Sequence, residues 1–426
     1  MRVLSLLLAL LLAAPLHAQS RDDWTAAWAS AQMVPVNDQV VPAEWLEDAT
    51  LRQVVRVGLS APRIRLRLSN AYGTEPLAIG AVAVARSADN RTARIETGTL
   101  APVTFGGWRR VTIPAGAEVW SDPVELGVEA GADVAVSLYL PKAPARPTGH
   151  PGSRATSYFV PGNQVAAETL PSDRTAPRWL VLAGIEALAP EARAIAVFGD
   201  SITDGFGVQP DTNARWPDRL AERLRADPEF AQVAVLNGGI GGNRLLLDGL
   251  GPNALARFER DVLSQPGVTH LIVLEGVNDL GVLTRDGPAT PEQHAALVEQ
   301  AIEALRQIAT RARARGIKVI GGTILPFATS TTYHPPAETE ADRPAINAWI
   351  RAPGSFDAVI DFDAALRDRA DPTRLDPALD SGDGLHPSLE GYRAMAAAIP
   401  VKSLSWLAAM TMAMPMVKPL TTASGT

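Results

Sequence analysis

The chain has 426 residues, 46% of them hydrophobic and 20% charged, with a formal net charge of −7 and no cysteine. That composition is globular, and it excludes disulfides, zinc–thiolate centres and a cysteine-linked lipid anchor. Charges of both signs are scattered along an acidic chain, which argues against a nucleic-acid partner, and the length exceeds one ordinary domain.

Met1 and Arg2 are followed by a short apolar run over 3–14, then Pro15 and Leu16-His17-Ala18. A charged start, an apolar core too short to span a bilayer and a small residue at the end predict a signal peptide over 1–18, cleaved after Ala18. The expected product is secreted or periplasmic and has no membrane association once the leader is gone.

Over 19–187 the pattern has period two, with glycine, proline and asparagine punctuating it. Ile64-Arg65-Leu66-Arg67-Leu68 alternates cleanly, and further strand candidates lie at 51–57, 77–85, 109–113, 134–140 and 179–182. Many short strands with no helical period between them predict an all-β, jelly-roll-like domain. Residues 141–151 form a proline-rich loop within it. Trp24, Trp28, Trp108 and Trp120 could stack on sugar rings, but their spacing reads first as core.

Over 188–400 strands alternate with helices. The strand candidates are 194–198, 233–236, 270–274, 318–323 and 358–362; the helices are 216–225, 254–263, 291–315, 343–350 and 388–398. Thr290 and Gln293 are spaced for a capping box, with Pro291 at the first helical position. Buried-looking strands joined by helices predict a parallel sheet covered on both faces. Residues 401–426, mostly Met, Leu and Ala, read as an accessory tail.

The segments just after the strands carry the chemistry. The first strand ends at Gly199-Asp200-Ser201, and the second leads into Asn237-Gly238-Gly239-Ile240-Gly241-Gly242-Asn243. The third ends at Glu275-Gly276-Val277-Asn278-Asp279, and Asp383-Gly384-Leu385-His386 comes after the fifth. Open α/β sheets present their sites at the carboxyl ends of the strands, so these segments are expected to meet.

Ser201 needs a base within reach, because an alcohol is a poor nucleophile at its own pKa. Of the six histidines, His17 leaves with the leader, His150 lies in the proline-rich loop and His270 opens a strand. His294 is expected to be exposed near a helix start, and His334 could line the site but has no acid beside it. His386 has Asp383 three residues earlier to orient its ring, and is the candidate base. The backbone N–H groups of Ser201 and Gly242 and the Asn278 amide are natural oxyanion donors. Asp200 and Asp279 are expected to hold loops by accepting backbone hydrogen bonds. The glycine loop lacks the lysine of a P-loop and is followed by Arg244 alone, which argues against a phosphate site. No metal and no cofactor are expected.

In these segments, over about residues 193–399, the chain resembles the SGNH or GDSL hydrolases. Ser201 matches the family's nucleophile, Gly242 its glycine, Asn278 its asparagine, and Asp383 with His386 its Asp-x-x-His pair. The one departure is Ile202 where the nominal motif has leucine. Thr203 excludes the Gly-x-Ser-x-Gly elbow of α/β-hydrolases. The resemblance implies a flavodoxin-like three-layer α/β/α sandwich and a serine esterase mechanism. Arg215-Trp216-Pro217-Asp218-Arg219-Leu220, the loop ending Gly242-Asn243-Arg244 and Leu274-Glu275-Gly276-Val277-Asn278-Asp279 look like the acetylxylan-esterase-like branch, whose members commonly carry a β-rich N-terminal domain. That implies removal of acetyl or other short acyl groups from plant cell-wall carbohydrate. Lipase or arylesterase action is the alternative within the family. Two readings lie outside it: a metal-dependent phosphoesterase using Asp200, Asn278, Asp279 and His386, and a carbohydrate-binding protein with a vestigial hydrolase half.

Overall fold

Alternating apolar and polar side chains let a strand bury one face, and the N-terminal half is built of such strands. The computed structural model describes residues 24–405. The leader expected over 1–18 and the tail from 406 lie outside the described residues. Trp24–Ala29, Leu182–Leu188, Ile64–Ser69 and Glu118–Trp120 form, in that order, a four-stranded antiparallel sheet. Arg174–Ala176, Ser157–Pro161, Ala49–Arg56, Asp133–Leu140, Ala81–Arg86 and Ala101–Pro102 form a six-stranded one. Leu66, Leu68 and Ile185 from the first sheet join Leu51, Val55, Val136 and Leu138 from the second in one buried cluster, the core of a sandwich.

Three details depart from the sequence expectation. Gly80 splits the run at 77–85, and the Tyr139 ring packs so close to it that a Cβ there would lie 2.6 Å from the ring. Leu77–Ile79 therefore pairs with Val111–Ile113, and Ala81–Arg86 with Asp133–Leu140. Val181, at φ 66°, breaks the run at 179–182 in the same way. Trp24 and Trp28 are buried as expected, but Trp108 and Trp120 are 69% and 45% exposed. Trp120 ends an edge strand, and its indole N–H donates to Glu186 Oε1 at 2.8 Å. Sequence spacing does not reveal that a strand is an edge.

From Arg193 the rhythm changes. Strands β1 (Arg193–Gly199), β2 (Val233–Gly239), β3 (Val268–Leu274), β4 (Lys318–Gly322) and β5 (Ala358–Ile360) make one parallel sheet in the order β2-β1-β3-β4-β5. Its helices are α1 (Ser201–Asp204), α2 (Trp216–Arg225), α3 (Ala254–Phe258), α4 (Val277–Leu283), α5 (Pro291–Arg313), α6 (Ala337–Arg351), α7 (Phe362–Leu366) and α8 (Leu389–Ala398). One group joins α2 to α8 and α8 to α7; another joins α5 to α3, α4 and α6. Their apolar faces and the strands between them form a single buried core.

Helix α5 starts as expected: Thr290 Oγ1 accepts from the Gln293 N–H, and Gln293 Oε1 accepts from the Thr290 N–H at 2.7 Å. The stretch read as one helix at 254–263 is α3 followed by a π turn, Glu259–Leu263. Helix α6 begins well before residue 343, with Pro344 inside it. Pro344 in its interior costs the helix one backbone hydrogen bond. The tail opens with a short 3-10 turn, Val401–Leu404.

The two halves are packed together. Ala194, Ala234 and Leu236 of β1 and β2 belong to the sandwich's buried cluster. The Ala26 N–H donates to the Pro266 carbonyl at 2.9 Å, and a Cβ on Gly58 would meet Ala234 at 3.0 Å. No helix among the described residues is long and apolar enough to cross a membrane.

Candidate active site

The strand order places β2 on one side of β1 and β3 on the other, so the loops leaving β1 and β3 diverge and open a crevice at the carboxyl edge. Ser201 begins α1 there. Asp200 caps the turn: its Oδ1 accepts from the Ile202 N–H at 2.9 Å, and its carbonyl from the N–H groups of Thr203 and Asp204. Gly205, at φ 89°, ends the turn in the left-handed region.

Ser201 Oγ lies 2.8 Å from His386 Nε2. His386 Nδ1 lies 2.6 Å from Asp383 Oδ2, while Asp383 Oδ1 accepts from the backbone N–H groups of His386 at 2.8 Å and Leu385 at 3.0 Å. Burial pushes the Asp383 carboxyl up, but the hydrogen bonds from the ring and backbone of His386 reverse this and hold it well below the ordinary carboxylate range. It is therefore a carboxylate, and a partner at Nδ1 directs the lone pair of neutral His386 to Nε2, where Ser201 can use it.

The other two segments meet this pair across the crevice. Gly242 has φ 73°, and a Cβ there would lie 2.8 Å from Leu250, so only glycine fits. The Asn278 side chain is buried and held at both ends: its Nδ2 donates to the Asn243 carbonyl at 2.8 Å, and its Oδ1 accepts from the Tyr333 hydroxyl at 2.6 Å. One hydrogen of the amide remains for a ligand. Asp279 accepts from the N–H groups of Leu245 and Leu246 at 2.8 and 3.1 Å and so anchors the loop after Gly242.

Beneath the crevice lies a group the sequence reading misses. Arg257 of α3 is fully buried. It donates to the carbonyls of Gly238 at 2.6 Å and Gly199 at 3.0 Å, to Asn243 Oδ1 at 2.9 Å, and to Asp261 and Glu275. Its guanidinium also stands 3.9 Å from the Phe198 ring centroid. One side chain thus ties together the ends of β1, β2 and β3. Burial pushes the Asp200 carboxyl up to about 7 and that of Asp279 up to about 6, although the backbone donors on each pull the other way. Glu275 is raised well above its ordinary value by burial and then by the nearby charge of Asp200. The only sequence signal for Arg257 is its i,i+4 spacing to Asp261.

The remaining histidines separate by surroundings. His270 is buried, and burial, with help from Lys318 and Arg193, lowers it to about 4. His294, expected to be exposed, is buried with its ring on Asp342 at 2.5 Å. That is a correction; its partner lies on α6, which packs against α5, and no local pattern announces it. His334 is exposed, and its neighbour Tyr333 turns to the site instead. His150 crosses to the α/β half: Nδ1 faces the Ala31 carbonyl at 2.8 Å and Nε2 faces Asp204 Oδ1 at 2.9 Å. Phe206, also missed, stacks on the His386 ring with centroids 4.0 Å apart and planes at 25°. Among the described residues no group of three His, Asp or Glu is arranged to hold a metal ion.

No curated protein matches the chain. Among solved structures it is similar to an acetyl xylan esterase from Geobacillus stearothermophilus, at 23% identity over 50% of this chain and 94% of that one, with a TM-score of 0.37. It is likewise similar to a GDSL-like lipase from Bacteroides thetaiotaomicron, at 21% identity over 50% of this chain and 88% of that one, with a TM-score of 0.36. Residues 197–394 match the GDSL-like lipase/acylhydrolase family, and the α/β half of this chain belongs to that family of carboxylic ester hydrolases.

Proposed function

We propose that the chain hydrolyses acetyl or other short-acyl esters, most readily on cell-wall carbohydrate, through an acyl-serine intermediate on Ser201. The observation that supports this best is the unbroken line from Ser201 Oγ to His386 Nε2 and from His386 Nδ1 to Asp383. His386 takes the Ser201 proton as Oγ bonds to the ester carbonyl carbon, and returns it to the alkoxide as the carbon–oxygen bond breaks. Water then repeats the cycle: it loses a proton to His386, displaces Oγ from the acyl carbon, and Ser201 regains its proton. Charge on the carbonyl oxygen is met by the N–H groups of Ser201 and Gly242 and the free hydrogen of the Asn278 amide. In this reading 1–18 is an export leader, 19–187 a β-rich domain and 188–400 the hydrolase.

A second substrate reading has its own support. Phe206, Leu247, Leu250 and Leu389 are each more than 40% exposed and lie on the loops and helix start that carry the site. An apolar rim of this kind suits longer acyl or aryl esters. Acetate release from acetylated xylan, compared with hydrolysis of nitrophenyl esters of increasing acyl length, separates the two readings. Each assay is run with wild type and Ser201→Ala. Serine-dependent acetate release from the polymer is the expected result; turnover that survives Ser201→Ala would sink the mechanism.

A further inference from the structure

The β-rich half lays a loop over the proposed esterase centre, and the charges on that loop point to the substrate. After the short strand Gly149–His150, residues 151–156 run along α1 and the turn beyond it. The loop is fastened there. His150 reaches Asp204, the Thr156 N–H and hydroxyl donate to the Asp211 carboxylate at 2.7 and 2.6 Å, and the Asp211 N–H donates back to the Arg154 carbonyl at 2.9 Å. Arg154 itself stands at φ 49°, a left-handed conformation that costs a residue with a Cβ energy and persists only where its surroundings enforce it.

The side chain of Arg154 is placed against the site and left without an anion. Its guanidinium stands 5.9 Å from the centroid of Phe206, the ring stacked on His386. Arg154 Nε is buried and has no hydrogen-bond partner, and among the described residues the guanidinium forms no ion pair. Beside it is a second cation that also forms no ion pair among the described residues. Arg178 donates only to carbonyls, those of Gln39, Asp38, Pro151 and Pro177. Burial lowers the Arg178 pKa, and the charge of Arg154 lowers it further against the pull of Asp38. Two neighbouring guanidinium groups repel each other, and an incoming anion would relieve that cost. Other arginines of the protein are paired, Arg56 with Asp133, Arg215 with Asp218 and Arg351 with Asp361, while the buried Arg52 donates to Ser137 and to carbonyls.

We propose that Arg154, supported by Arg178, is a subsite for a carboxylate carried by the ester substrate, so that the enzyme selects acidic esters over neutral ones. A planar fork of N–H donors matches a carboxylate in two-point contact, and Phe206 offers an apolar wall between that contact and the reacting atoms. This rests on the esterase reading for the position of those atoms.

The test compares 4-acetoxybenzoate with its methyl ester, a pair differing in the anion. Binding of both to Ser201→Ala is measured by calorimetry, and turnover of both by wild type. The same ratios are then taken with Arg154→Gln added. The expected result is a preference for the acid of about tenfold or more in binding and in kcat/KM. That ratio should fall towards one in Arg154→Gln, and should shrink in wild type as ionic strength is raised. Equal binding of acid and ester, no binding of either, or a preference untouched by Arg154→Gln overturns the proposal. Because binding is read without turnover, loss of hydrolysis alongside intact acid selectivity would count against the esterase mechanism and leave the subsite standing.

Discussion

Two histidine–aspartate pairs in this molecule look alike and serve different ends. His386 and Asp383 lie at the carboxyl edge of the parallel sheet; His150 and Asp204 join the sandwich to α1. In the first, the second ring nitrogen faces a hydroxyl, which has a proton to give. In the second it faces the Ala31 carbonyl, which can only accept. The Ala31 carbonyl has no proton to give, so no nucleophile faces the His150 ring. What a histidine can do is decided by the group opposite its other nitrogen, and a nearby acid is not enough.

Substitutions put that contrast at risk. The largest effect expected outside the reacting groups is from Arg257→Gln, which leaves Asp261 and Glu275 without their buried cation. Breaking such a pair costs about 3–5 kcal/mol, to be read as a shift in urea midpoint. A midpoint within error of wild type would show that the carboxyls simply take up protons. Next is Asn278→Ala, expected to lower kcat by about 10²–10³ with the fold intact, as for loss of an oxyanion donor. An unchanged kcat would assign the oxyanion to the two backbone donors alone.

The pairs themselves are compared by His386→Leu and His150→Leu. The first should abolish turnover with little change in stability. The second should cost about 2–4 kcal/mol of stability, because Asp204 keeps its burial and loses its partner, while kcat falls far less. Should His150→Leu match His386→Leu in kcat, the interdomain pair is part of the chemistry and the contrast collapses.

The smallest expected effect is a pH dependence at Asp200, studied by denaturation at pH 5 and pH 8. A carboxyl raised to about 7 in the fold binds its proton more tightly there than in the unfolded chain. Its contribution to stability is therefore greatest below about 4, the unfolded value, and is lost as pH rises to about 7. Each unit of such a difference is worth about 1.4 kcal/mol. Asp200→Asn keeps the capping oxygen for the Ile202 N–H, so the variant should lose less stability than wild type between the two pH values. Equal losses would move the titration to Glu275.

Much of the α/β half is legible locally. A strand buried on both faces is a run of apolar residues, and a helix with Thr290, Pro291 and Gln293 at its start declares where it begins. Strand boundaries in the sandwich are less so. Gly80 and Val181 interrupt runs that read as continuous, because the interruption depends on what packs across from them. The same division holds at the site. Ser201, Gly242, Asn278, Asp383 and His386 could be proposed from their segments, since each motif is a strand end followed by residues whose side chains have one evident chemical use.

Read as a string, the chain already dictates the alternation of strands and helices, the parallel sheet, and the segments that its topology must gather at one edge, because periodicity and chain direction are local properties that propagate. Which groups face one another was left to tertiary packing: Arg257 under three strand ends, Tyr333 on Asn278, Phe206 on His386, His150 on Asp204 and Asp342 on His294. These contacts join residues far apart in the chain. Their worth comes from burial and from the absence of competing water, and neither is written in the spacing of residues along one segment.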